Sequence, residues 1–160
     1  MKVFSQCTFL LMILLFLACT QKPKDSVNET KLTAAKVNDL PDMQVRLLNG
    51  NTVEIEAIEG KVILVLFQPD CDHCQNEAQQ IEANLDSFRQ YDLYFISSAP
   101  APDVKAFADQ YNLSGRPAVW FGTTSFESVL NNFGSIPAPS MFIYLEGGKL
   151  IQELNGEIDI

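Results

Sequence analysis

A three-layer α/β domain built on a central mixed sheet is the fold class this chain predicts. Three observations carry it. Val62-Ile63-Leu64-Val65-Leu66-Phe67 is an unbroken apolar run, partly β-branched, of the kind buried on both faces of a central strand. Next comes an apolar stripe at helical spacing, formed by Cys74, Ala78, Ile81, Leu85 and Phe88. Near the C-terminus, two strand-like runs flank Glu146-Gly147-Gly148. Strands alternating with helices and closed by an antiparallel hairpin bury both faces of one sheet.

The 160 residues suffice for one such domain, and 47% of them are hydrophobic, enough for a core. The formal charge of −9 argues against a nucleic-acid binder, which needs clustered Lys and Arg to displace counterions.

The chain opens with a leader. Lys2 supplies positive charge, and Phe9 to Leu17 are nine consecutive apolar residues. A helix of that length cannot cross a hydrocarbon layer of ~30 Å, but it matches the apolar region of a signal peptide. The run closes on Phe16-Leu17-Ala18-Cys19, which resembles the lipobox of bacterial lipoproteins. The resemblance implies that the Cys19 thiol receives lipid and that cleavage makes Cys19 the first mature residue. The alternative is an ordinary signal peptide with an incidental cysteine. Residues 20–38 are polar, contain Pro23 and have no apolar period, so they read as a tether. The division is therefore leader 1–18, tether 19–38 and folded domain 39–160.

Within the domain, Met43–Leu48 and Thr52–Ile55 read as strands around the turn Asn49-Gly50. The Val62–Phe67 strand leads into the helix described above. Leu93–Ile96 is a strand, and Pro102 stands in the first turn of a helix through Val104, Phe107 and Tyr111. Pro117–Phe121 is a strand, Phe126–Phe133 a short helix stopped by Gly134, and Met141–Leu145 with Lys149–Leu154 the final hairpin. Trp120 is assigned to core packing.

Chemistry concentrates at Cys71-Asp72-His73-Cys74, where a buried strand passes through a short turn into a helix. Cys71 sits at the helix start, where unpaired N–H groups and the helix dipole favour a thiolate, so it is the expected nucleophile. Cys74, one turn on, begins the apolar stripe and is the expected resolving cysteine. With Cys7 in the leader and Cys19 lipidated, these two are the thiols left to the mature domain, and an exported location lets them cycle through a disulfide. A zinc site would need a second pair of ligands, and His73 is the one histidine, so no metal and no cofactor is expected. An inert structural disulfide is the other bland reading. Protonated His73 would favour the Cys71 thiolate, whereas Asp70 and Asp72 oppose it.

From about Leu40 to Leu154 the chain resembles the thioredoxin superfamily, in the redoxin branch of exported thiol–disulfide oxidoreductases and cytochrome-maturation reductases. The opening hairpin, GKVILVLFQPDCDHCQNE and PAPSMFIYLEGGKLI carry the resemblance. It implies a thioredoxin-like fold with an N-terminal hairpin and an insert between the CxxC helix and the strand after a cis-proline. Pro139 matches that proline, and with Ala138 it would bind substrate backbone. Glu77 matches an active-site glutamate of the branch. Helical geometry puts it about 60° from Cys74, at the margin of the apolar stripe, where a partly buried carboxylate could exchange protons with the thiol. It could equally be an exposed first-turn residue that merely suits the dipole. The chain ends too soon for the helix that related domains add after the last strand, so a less covered sheet face or a partner is expected.

The function expected is a membrane-anchored thiol–disulfide oxidoreductase of the cell envelope, its domain in the periplasm. Its partners would be protein thiols or disulfides and an upstream membrane electron donor. A thiol peroxidase is one rival, although Gln68 stands where a peroxidatic threonine would precede Cys71. A non-catalytic envelope lipoprotein that uses the fold to hold a partner is the other.

Overall fold

The computed structural model describes residues 38–158. The leader, Cys19 and the tether up to residue 37 lie outside the described residues. Seven strands form one sheet: β1 (Gln44–Leu47), β2 (Thr52–Glu54), β3 (Val62–Leu66), β4 (Asp92–Ser97), β5 (Val119–Thr123), β6 (Ser140–Leu145) and β7 (Lys149–Asn155). Their order across the sheet is β2-β1-β5-β4-β3-β6-β7. β3, β4 and β5 run parallel, and every other pairing is antiparallel. The helices are α1 (Asp72–Ala83), α2 (Ala101–Gln110) and α3 (Phe126–Phe133). This is the mixed-sheet α/β architecture expected.

β3 lies between β4 and β6, and all five of its residues are buried. Period-2 alternation sends Ile63 and Val65 to one face and Val62, Leu64 and Leu66 to the other. On the first face they meet Cys74, Ala78 and Ile81 of α1 and Val104, Phe107 and Ala108 of α2. On the second they meet Leu40, Met43, Val45 and Ile55 from the N-terminal part, with Val129 and Phe133 of α3 against them half-buried. β1 can approach β5 because residue 122 is glycine; a Cβ there would overlap Val45 Cγ1.

Three expectations are corrected. The stripe from Cys74 to Phe88 is not one helix: α1 ends at Ala83, Asn84 leaves helical geometry at φ −120°, and Leu85–Phe88 is a short 3-10 turn. Both segments keep apolar side chains toward the same core, so the periodicity survives the break. β5 starts at Val119, because Pro117 and Ala118 form a turn with Ala118 at φ 59°. Trp120 is not a core residue. Its neighbours Val119 and Phe121 take the α1–α2 face, so alternation puts the indole on the other face. There it stacks on Tyr94 and remains 38% exposed.

Candidate active site

The site is built at the C-terminal end of β3. Phe67 continues the strand direction, donates its N–H to the Ile96 carbonyl at 3.1 Å, and packs against Phe95, Phe107 and Phe121. Gln68 then turns the chain. Its amide nitrogen donates to Ser98 Oγ at 3.0 Å, its amide oxygen accepts from Ser97 Oγ at 3.3 Å, and its carbonyl accepts from Cys71 N at 3.2 Å. Gln75 braces the turn from the helix side, donating to the Pro69 carbonyl at 3.1 Å.

Cys71 is the N-cap of α1, with extended backbone geometry. Its sulfur accepts the backbone N–H of Cys74 at 3.3 Å and lies 3.4 Å from the Ala138 carbonyl. It is half-buried, while Cys74 is only 2% exposed. Burial pushes the Cys74 thiol far above its ordinary range, and the hydrogen bond with Cys71 adds to this. The Gln68 backbone opposes the rise, and the charges of Cys71 and Glu77 reinforce it.

Glu77 is 2% exposed, one helical turn beyond Cys74. Neither carboxylate oxygen has a hydrogen-bond partner. Burial, and then the charge of Glu157, raise its pKa from 4.5 to about 7. The bland reading of an exposed first-turn glutamate is therefore excluded by position. An unpartnered carboxylate in an apolar core disfavours its own charge and holds a proton near neutrality.

Asp72 is exposed in the first turn of α1. His73 is exposed too, and its Nδ1 lies 2.8 Å from Glu157 Oε2. The Ala138–Pro139 peptide bond is cis, and Pro139 is buried beside half-buried Ala138. A cleft of about 220 Å³ adjoins this wall, lined by Gln68, Pro137 and Ala138 together with Phe126 and Leu130 of α3. A roomier cleft of about 490 Å³ beside Arg116 and Trp120 shares no residue with the dithiol. Among the described residues no group of three or more His, Cys, Asp or Glu is placed to hold a metal ion.

The fold thus brings Cys71, Cys74, Glu77, His73, Ala138 and Pro139 together. Two participants lie beyond the reach of sequence reasoning. Glu157 is separated from His73 by 84 positions, and a lone acidic residue after a strand carries no local signal. Gln68 stands out in the sequence only as the residue in place of a threonine, not as the brace of the CxxC turn.

A model of the AhpC/TSA family matches residues 37–150. The thiol-disulfide oxidoreductase ResA of Bacillus thuringiensis subsp. konkukian is 28% identical over 133 residues, covering 81% of this chain and 73% of that protein. A secreted Mycobacterium tuberculosis disulfide oxidoreductase homologous to E. coli DsbE superimposes with a TM-score of 0.61 at 16% identity, over 71% of this chain and 83% of that one. StoA from Bacillus subtilis does so with a TM-score of 0.58 at 17% identity, over 73% and 89%.

Proposed function

The chain belongs to the AhpC/TSA family and is a thiol–disulfide oxidoreductase; on that premise we propose that it is a lipid-anchored enzyme of the cell envelope. In this reading residues 1–18 are a leader, Cys19 carries the lipid, 19–38 is a tether and 39–160 is the catalytic domain in the periplasm. One observation carries the chemical part: a half-buried Cys71 at a helix N-cap accepts the N–H of a buried Cys74, and a buried, partnerless Glu77 follows one helical turn beyond Cys74.

The Cys71 thiolate attacks a substrate disulfide. A Cys71–substrate disulfide forms, the substrate S–S bond breaks, and the departing thiolate takes a proton from solvent. Cys74 then gives its proton to the Glu77 carboxylate and attacks the Cys71 sulfur. The second substrate sulfur leaves as a thiolate and takes a proton from solvent, the enzyme holds a Cys71–Cys74 disulfide, and two electrons have passed to substrate. The reverse sequence, with Glu77 returning a proton to Cys74, restores the dithiol and consumes a reductant, which we assign to an upstream membrane electron donor. Ala138 and Pro139 form the wall against which the substrate backbone lies, and Asp72 and His73 tune Cys71.

One experiment tests both the chemistry and the anchor. The full chain carrying Cys74→Ser is expressed in a bacterial envelope, with and without Cys19→Ala, and disulfide-linked species are separated into membrane and soluble fractions. Protein-sized mixed disulfides should accumulate through Cys71, vanish in Cys71→Ser/Cys74→Ser, and move to the soluble fraction when Cys19 is replaced. Adducts that persist without Cys71 overturn the nucleophile assignment. Equal membrane association of the Cys19→Ala form overturns the anchor.

A further inference from the structure

Both walls of the dithiol site are held by one short segment, the last residue of β7 and those that follow it. Gly156 donates its N–H to the Pro139 carbonyl at 2.8 Å. Asn155 Oδ1 lies 2.8 Å from the Ser140 hydroxyl, which itself lies 2.6 Å from the Pro137 carbonyl. On the other side, Glu157 Oε2 accepts from His73 at 2.8 Å and from Asn76 at 3.4 Å. Ile158 is half-buried against the core cluster that contains Cys74, Ala78 and Ile81.

We propose that Glu157 is a positioning residue of the redox site: the strap Asn155–Ile158 joins the cis-proline loop to the first turn of α1 and fixes a carboxylate on His73 and Asn76, from where it acts on the acid–base behaviour of Glu77 and, through it, of the dithiol. The core cluster that α1 joins through Cys74, Ala78 and Ile81 is apolar, with Ile63 and Val65 from β3, Met141 from β6, and Phe67 just beyond β3. Titratable groups at the start of α1 are Cys71, Cys74 and His73, with Asp72 exposed beside them; Cys74 feels the charge of Glu77, and Glu77 that of Glu157 from the strap. Glu157 is thus the charge that a separate element brings to Glu77, and it contributes to the raised proton affinity there.

The coupling has a definite sign. A neighbouring negative charge makes the charged form of Glu77 costlier, so Glu77 keeps its proton to higher pH. The hydrogen bond from His73 offsets part of that negative charge, and removing it restores the charge. The pairing also directs the imidazole toward Glu157.

The inference takes from the proposed function only that Glu77 exchanges a proton with Cys74, and two readouts separate the two claims. The first is the Glu77 carboxyl carbon, followed by NMR through a pH titration of the reduced domain. Replacing Glu157 with Gln should lower its midpoint by roughly half a pH unit, and Glu157→Asp should recover part of that change. His73→Gln, which leaves the carboxylate uncompensated, should move the midpoint upward. An unchanged Glu77 midpoint in folded Glu157→Gln, or a downward move in His73→Gln, overturns the coupling. The second readout is the pH profile of thiol alkylation. It should follow the carboxyl midpoint in Glu157→Gln and lose that response when Glu77→Gln is added. A moved carboxyl midpoint with an unmoved thiol profile keeps the coupling of Glu157 to Glu77 and removes Glu77 from the exchange.

Discussion

Helices α1 and α3 pack on opposite faces of the sheet and obey opposite rules. α3 reads as strongly amphipathic, with Phe126, Val129, Leu130 and Phe133 along it, yet none of its residues is buried. α1 reads as mostly polar, with Asn76, Gln79, Gln80 and Glu82 on its surface, yet it buries Cys74, Glu77, Ala78 and Ile81. Apolar pattern therefore does not rank these helices by how firmly they are held. α1 is pinned at its first turn, by the Cys71 cap, by Gln75 on the Pro69 carbonyl, and by Glu157 on His73 and Asn76. α3 is capped by Ser125 and stopped at Gly134, and it touches the core mainly through Val129 and Phe133. The firmly held helix carries an electrostatically costly group, and the lightly held one carries exposed apolar surface.

The sharpest way to break this contrast is to empty the α1 core. Ile81 has no exposed surface and packs beneath the dithiol. Ile81→Ala should lower unfolding free energy by about 2–5 kcal/mol, as large-to-small core changes do. Denaturant melts of the reduced domain measure it. A loss under about 1 kcal/mol would mean that α1 is held by its capped first turn and not by its buried face.

The next effect concerns Glu77. Its folded pKa, about 7, lies above the ordinary 4.5, so its contribution favours folding fully below about 4.5 and is lost as pH rises through about 7. A tenfold change in proton affinity is worth about 1.4 kcal/mol, which bounds the loss near pH 8 at about 3 kcal/mol. Glu77→Gln cannot ionise. It should therefore flatten stability between mildly acidic and mildly alkaline pH, and exceed the native protein at the alkaline end. Parallel pH dependence in the two proteins would place Glu77 in contact with water.

Much of this is legible in the sequence because the relevant signals are local. The buried β3 run, the CxxC at a strand-to-helix turn and the hairpin at Gly147-Gly148 each lie within a few residues. The match at Pro139 rests on family pattern. Glu77 is ambiguous for a geometric reason. A residue 60° from the stripe is buried or exposed according to what covers that margin, and the cover includes a strap whose Ile158 lies 81 positions away. Trp120 misleads because its hydrophobicity says it favours burial but not which sheet face is covered at its position. The break at Asn84 is invisible to periodicity, since Leu85 and Phe88 still fall on the core side.

The smallest expected effect is the most discriminating test of α3. Leu130 is 43% exposed and Phe126 68% exposed, both on the rim of the cleft beside Ala138. Exposed side chains lose little on truncation, so Leu130→Ser and Phe126→Ser should each change stability by no more than about 0.5 kcal/mol. Phe133 differs: its ring lies 4.7 Å from that of Phe142, and Phe133→Ala should cost distinctly more. The comparison is internal to one short helix, so differences in helix propensity and capping largely cancel. Equal losses at 130 and 133 would mean that the outward side of α3 is covered in solution. A covered Leu130 would also close the cleft next to Cys71, and exchange with a protein disulfide would then require α3 to move first.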